Sequence, residues 1–322
     1  MLRFKFYGED EFNKMISNTI RQSVLYCIGQ LIRYLPHAWI AELFRLTGNI
    51  LNVKACTCTG DLGIYEGHLQ DKGVLGYYLV YHTWEPQIQQ LLIEKFFCHN
   101  TGTFIDVGAN IGLTTIPLKL NRSKVSIIAV EADPDNFVFL KNNLERNGVL
   151  DVTLFNVAAY AQDGELAFER SPNNAGDHRL RFSEINRSAD YYGESNRAVI
   201  SVKTKRLDSI IQSELLTKPI VLKCDVQGSE VHVLGGAEHL LKVIDFMVIE
   251  FWPYGLLRAG TSPESFFSKL NDFRYGLIIE ENTVKAQIFM PIEDVMLQMK
   301  TLIDESSTDH CELILSKTQY FK

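Results

Sequence analysis

The sequence lacks any apolar run approaching the roughly 20 residues that cross a bilayer, so no transmembrane helix is predicted. It also lacks basic excess: 32 Lys and Arg stand against 39 Asp and Glu, a net charge of -7. That balance argues against a protein that grips nucleic acid by neutralising phosphates, and no nucleic-acid partner is expected. No secretory leader is expected either, because Glu9, Asp10 and Glu11 fall where an apolar stretch would have to lie. The six cysteines make no disulfide framework. Cys27, Cys98, Cys224 and Cys311 are scattered among apolar neighbours like reduced core thiols, and the close pair Cys56 and Cys58 has no further ligand at a zinc-like spacing. A reduced, cytoplasmic location is expected, and no bound metal.

What is present is a chain of 322 residues, 46% hydrophobic and 22% charged, enough for one large or two small domains with a real core. We divide it into an N-terminal helical cap with short strands over 1–80 and a main domain over 81–322. In the first part, Ile16, Ile20, Leu25, Ile28, Leu31 and Ile32 recur near helical spacing before Pro36 interrupts the pattern. Arg21, Arg33 and Arg45 make this segment mildly basic. An amphipathic cap packed on the main domain is the plain expectation, and peripheral membrane contact through these helices is the sharper one. Residues 53–83, rich in Gly, Tyr and Val with "TGDLG" as a turn, predict short strands or a hairpin.

From residue 86 the chain changes character. "PQIQQLLIEKFF" predicts a helix with Pro86 in its first turn and Ile88, Leu91, Leu92 and Phe96 on one side. Seven strand-like runs then follow, interleaved mainly with helical segments: "TFIDV", "VSIIAV", "VTLFN", "IVLKCD", "FMVIE", "YGLIIE" and "CELILS". Continuous apolar runs of this kind predict an α/β domain whose mostly parallel sheet is covered on both faces. The helix over 133–147 is the best specified, with Asp133 as cap, Pro134 in the first turn and Asn147-Gly148 as the stop. Two more strand candidates, "GELAFE" and "VISVKT", flank a polar stretch at 170–198 that reads as a long loop.

The turn "FIDVGANIG" closes the first run and opens a helix, the place where doubly wound sheets bind ligands. Gly108 and Gly112 allow the backbone a tight turn and a close approach. A pyrophosphate-binding G-x-G-x-x-G is not complete here, and Asp106 would repel a pyrophosphate. An acid at that point favours a ligand with a cationic amino-acid group, such as S-adenosylmethionine. Glu131 closes the second run in "VEADP", nineteen residues after Gly112, where an acid accepts hydrogen bonds from ribose hydroxyls. The cofactor-side candidates are Asp106, Gly108, Asn110, Gly112, Glu131, Ala132, Asn156 and Asp225.

The chain resembles the FkbM family of methyltransferases, within the Rossmann-like, S-adenosylmethionine-dependent class. The likeness covers about residues 75–316 and is carried by "YHTWEPQIQQLL", "FIDVGANIG", "AVEADPDNFVFLKNNLERN", "VLKCDVQGSEVHVLGGA" and "FMVIEFWP". It implies a seven-stranded sheet with an antiparallel last strand and O-methylation of a hydroxyl on a sugar, glycolipid or natural product. The family's D-V-E-G-x-E string has Gln227 in place of its first glutamate here. Alternatives are a nicotinamide-dependent dehydrogenase or a module that binds the cofactor without catalysis. An amine methyltransferase acting on bases is disfavoured, because "CDVQGSE" has no proline pair.

A sugar hydroxyl is a weak acid, so a general base is useful. Asp225, closing the fourth run, is expected to orient the hydroxyl. His178, in the polar loop, is expected to accept its proton, since an ordinary imidazole titrates near neutrality. Glu230 competes for the same role, and Glu250, closing the fifth run, is placed to orient substrate. Asp225 and Glu250 could instead hold a divalent cation, but no third ligand is apparent. Trp84, Trp252 and Tyr254 are core residues by default and a sugar-stacking wall by exception.

Overall fold

The structure, a computed structural model, describes residues 54–182, 193–279, 289–302 and 309–319, with Glu42 and Leu46 besides. The helical pattern expected over 12–52 therefore lies almost entirely outside the described residues.

A hairpin of β1 (Ala55–Gly60) and β2 (Gly63–His68) comes first, as the glycine- and tyrosine-rich composition predicts. A short helix, Leu75–Tyr81, follows it. The main sheet is built from β3 (Thr103–Val107), β4 (Ser126–Val130), β5 (Val152–Phe155), β10 (Ile220–Cys224), β11 (Phe246–Phe251), β12 (Tyr275–Ile279), the two-residue β13 (Met290–Pro291) and β14 (Cys311–Ser316). Seven of these are the seven predicted runs; the eighth, β13, is a stub at the edge. Spatial order is β13-β12-β14-β11-β10-β3-β4-β5, so strand order reverses between β3 and β10. The five strands from β5 to β11 are mutually parallel, and β14 runs antiparallel between β11 and β12.

Burial on both faces explains why the runs read as continuous. Phe104, Val221, Phe246, Val248 and Ile314 pack under the helix that begins at Pro86, together with Ile88, Leu92 and Phe96. Their immediate neighbours Ile105, Leu222, Met247, Ile249 and Leu313 point into a second core on the opposite face. Successive strand residues alternate faces, and both faces are covered. The helix Pro134–Arg146 is capped as predicted: the Asp133 carboxylate accepts from the amides of Asp135 and Asn136, and Gly148 takes the left-handed φ of 71°. Its Leu140 and Leu144 pack with Cys58 and Tyr65 of the hairpin, fastening the N-terminal strands to the main sheet.

The polar stretch at 170–198 is more than a loop. Between β5 and β10 the chain builds a second sheet, β6 (Ala158–Ala159), β7 (Gly164–Arg170), β8 (Arg179–Leu180) and β9 (Ala198–Lys205), ordered β6-β9-β7-β8. Cys56, Cys58, Cys224 and Cys311 are buried, whereas Cys98, expected in the core, is exposed. Among the described residues no helix is long and apolar enough to cross a membrane.

Candidate functional site

A cavity of about 850 Å³ opens over the carboxyl ends of β3, β4, β10 and β11, at the reversal of strand order. Gly108, Asn110, Glu131, Ala132, His178, Asp225 and Glu250 line it. Asp106, Gly112, Asn156 and Glu230 are not part of that lining; the last three support the backbone around it.

Backbone geometry makes the turn at 108–112 a cradle. Gly108 has φ 87°, and a Cβ there would lie 1.9 Å from the carbonyl oxygen of Asp225. Only glycine lets β3 and β10 close in this way. Gly112, at φ 94°, would drive a Cβ to 2.9 Å from Leu140, so it serves helix packing behind the cavity. Asn110 takes φ 51°; its amide donates to Glu131 and its side chain donates to the carbonyl of Ala175. The carbonyl of Ala175 also accepts from Asn136, and its amide donates to the buried Asp71 carboxylate. Segment 174–178 is thus held over the cavity by residues from three parts of the chain.

Two features test whether S-adenosylmethionine fits. Asp106 is 1% exposed; Thr115 donates to one carboxylate oxygen at 2.6 Å, and the other has no hydrogen-bond partner. A buried carboxylate oxygen in that state calls for a cationic or donor ligand. Glu131 is held by the amides of Asn110 and Asp133 at 2.8 and 2.7 Å, which leaves further lone pairs for ribose hydroxyls. The residues fit the group. Asn156 donates to the carbonyls of Glu131 and Ala132, so it braces the strand end from outside the cavity.

Burial pushes Glu131 from its ordinary value of 4.5 up to about 8, against the opposing pull of its amide donors. The native state therefore binds this proton more tightly than the unfolded chain does. Stability from this group is complete below about pH 4.5 and is lost as pH rises through about 8. Thermal unfolding of the ligand-free protein is expected to show that decline, and Glu131→Gln should flatten it. A pH dependence unchanged in the variant would contradict the assignment.

The acidic end of the cavity centres on Lys223, a residue the sequence argument passed over although a lysine inside an apolar run is itself a signal. It is 3% exposed and reaches Asp225 at 3.0 Å and Glu85 at 3.6 Å. Gln227, at φ 58°, donates to Asp225 at 2.9 Å and to Glu250 at 3.2 Å. The amide at position 227 thus bridges two carboxylates where a glutamate would repel them. Burial raises the pKa of Asp225, but the charge of Lys223 and the bonds from Gln227 and Lys223 outweigh it, holding the carboxyl below its ordinary value. Glu250 lies well above its ordinary value, through burial and then the nearby charges of Asp225, Glu230 and Glu312. Oxygens of Glu85, Asp225 and Glu312 come within 4.8 Å of one another, a cluster that shares only Asp225 with the pair suggested for a cation, and Lys223 stands among them as the cation.

Two of the expected bases have other partners in the structure. His178 lines the cavity, but its Nδ1 accepts from the amide of Ser171, so a neutral ring carries its proton on Nε2 and presents a donor. Burial first, then the nearby charge of Arg170 working against that of Asp133, brings its pKa down to about 4. The neighbours that set it are Asp133 and Arg170, beside the Glu131 turn, not Asp225. Glu230 is fully buried, and its carboxylate accepts from the amides of Val226 and Gly228, closing the turn after β10. Of the aromatic candidates, Trp84 and Trp252 line the cavity, joined by Tyr77 and Tyr81. Tyr254 instead donates to Glu194 at 2.8 Å.

The chain is 27% identical over 189 residues to the hexuronic acid methyltransferase AglP of Haloferax volcanii, covering 58% of this chain and 68% of that one. It is 27% identical over 180 residues to Methyltransferase 1 of Beauveria bassiana, covering 50% and 71%. Solved structures are more distant. An rRNA methylase from Streptococcus thermophilus has a TM-score of 0.38 at 10% identity, over 72% of this chain and 95% of that one. A putative transferase, PH0793, from Pyrococcus horikoshii has 0.38 at 14%, over 88% and 84%. Likenesses this remote have no bearing on function. The model of the methyltransferase FkbM domain matches residues 106–276, more than half of the chain and the whole span from the Asp106 turn to β12. The chain belongs to the FkbM methyltransferase family.

Proposed function

We propose that this protein transfers the methyl group of S-adenosylmethionine to a hydroxyl of a sugar, glycolipid or other polyol, with residues 81–322 as the catalytic domain. The observation that carries this is an ionised carboxylate at the end of β10, Asp225, held by Lys223 and Gln227 beside the Gly108 turn. When bound, the cofactor supplies an electrophilic methyl on its sulfonium. The chain has to hold the acceptor in line and receive one proton.

In this scheme Asp106 takes the cationic amino group, Glu131 the ribose hydroxyls, and Gly108, Asn110 and Ala132 the contacts between them. Asp225 accepts a hydrogen bond from the acceptor hydroxyl, and Glu250 takes its proton. Glu250 suits that task because burial and neighbouring carboxylates raise its affinity for a proton. His178 donates from Nε2 at the cofactor's nucleoside end. We place the protein in a reducing compartment such as the cytoplasm, since the buried thiols Cys56, Cys58 and Cys224 are not in disulfides.

The test is a titration followed by a transfer assay. S-adenosylmethionine at about 100 times its Kd should stabilise the native state by about 2.7 kcal/mol. Labelled methyl should then appear on glycoside hydroxyls, read by mass spectrometry after digestion. Binding without transfer to any hydroxyl compound would refute the proposal.

A further inference from the structure

The acceptor end of the cavity has walls of one electrical character. Glu250 on β11 and Glu312 on β14 are direct register partners across an antiparallel pair, an arrangement in which like charges repel. Glu85 and Asp225 bring two more carboxylates to the same place, within 4.8 Å of Glu312 in each case. Against these four acids, the basic side chains lining that end, among the described residues, are the buried Lys223 and the exposed His310.

A separate observation points the same way. Tyr77, Tyr81 and Trp84 line the cavity just before Glu85. Tyr77 and Tyr81 have ring centroids 4.5 Å apart, and Tyr77 meets Trp84 edge-on at 5.6 Å. The faces of these rings carry partial negative charge, so they attract cations and the C–H faces of sugars and offer nothing to a carboxylate. The acidic group and the rings are consecutive in the chain through Trp84 and Glu85, so an acceptor touching one wall is within reach of the other.

Resting on the proposed O-methyl transfer to a sugar, we infer that this site selects by charge: it takes a neutral or amine-bearing glycoside and rejects a uronic acid. A neutral sugar satisfies the carboxylates with its hydroxyl donors. An ammonium group pairs with Glu85 or Glu312 and lies against the rings. A carboxylate would be desolvated beside the rings and among acids whose crowding already raises the proton affinity of Glu250 and Glu312, with Lys223 already engaged by Asp225 and Glu85. The chain would then differ in acceptor charge from the relative named for a hexuronic acid.

Three probes of one shape test this: the methyl pyranosides of glucose, glucosamine and glucuronic acid. Their binding to protein loaded with S-adenosylhomocysteine is ranked by saturation-transfer NMR at low salt, and turnover with labelled S-adenosylmethionine is measured separately. We expect the glucoside and glucosaminide to bind at least tenfold better than the glucuronide. Glu312→Gln should narrow that gap several-fold, and Glu85→Gln, checked by its thermal unfolding, serves if the first variant folds poorly. Equal or tighter binding of the glucuronide, binding of none of the three, or a gap that neither substitution moves would overturn the inference. If the charge order holds but no methyl is transferred, the inference stands and the O-methyl reading fails. Methyl transfer that favours the glucuronide has the opposite meaning.

Discussion

Arg179→Leu is expected to destabilise the protein by about 3–5 kcal/mol, because it strands buried acids rather than merely deleting a contact. Arg179 is 3% exposed and donates to three carboxylates: Glu169 at 3.0 Å, Asp177 at 2.9 Å and Glu194 at 3.1 Å. Arg258 bonds to Glu169 and Glu194, and Arg197 bonds to Asp177. Three arginines and three acids thus balance inside a region that water scarcely reaches. The cluster joins β7 and β8 of the second sheet to the helix that follows β11, and Arg179 stacks over Trp252 at 5.5 Å. Asp177 and Trp252 both line the cavity, so losing the cluster's central fork should loosen that wall as well. Thermal unfolding should fall by about 10 °C, and the KM for acceptor should rise while cofactor affinity changes little. Arg179→Lys should rescue little, since an ammonium cannot present a planar fork to three carboxylates at once. A variant with wild-type unfolding would show that the cluster is electrostatically dispensable.

The main sheet was legible because its strands obey local rules. The central runs, β3, β10 and β11, are buried on both faces, so their hydrophobicity is uninterrupted, and the helix at 134–146 carries its own cap and stop. The turn at 108–112 was legible for a local reason too: Gly108, Asn110 and Gly112 are where they are because the backbone there takes positive φ. The acceptor end was less so. Glu85, Lys223 and Glu312 come from three distant elements: the register of β10, β11 and β14 brings Lys223 and Glu312 near, and Glu85 arrives from the start of the helix at Pro86. Of the second sheet, β7 and β9 were legible as "GELAFE" and "VISVKT", whereas the two-residue β6 and β8 were too short to read and β8 lies among ionic contacts. His178 shows the limit most plainly. Its residue type and its loop suggested a base at neutral pH, whereas the tautomer is set by the amide of Ser171, seven residues away and unreadable from a motif. Gln227 went the other way: its departure from the family string was visible, and its role as a bridge between Asp225 and Glu250 required the fold.

Glu250→Gln is expected to lower kcat by about 10²-fold or more while leaving cofactor affinity near wild type, as removal of a general base does. In the wild type, activity should rise with pH as Glu250 loses its proton. Its carboxyl lies well above the ordinary range, through burial and then the charges of Asp225, Glu230 and Glu312, so the ascending limb should lie above the ordinary carboxylate value of about 4.3. Glu250→Gln should abolish that limb, and His178→Ala should keep it. Asp225→Asn should act differently. Asp225 is held ionised by Lys223 and accepts from Gln227, so its loss removes the hydroxyl's acceptor and leaves the buried Lys223 short of a counter-charge. Both kcat and acceptor KM should suffer. A pH limb that survives in Glu250→Gln but vanishes in Asp225→Asn would move the base to Asp225 and leave Glu250 as the group that orients the sugar.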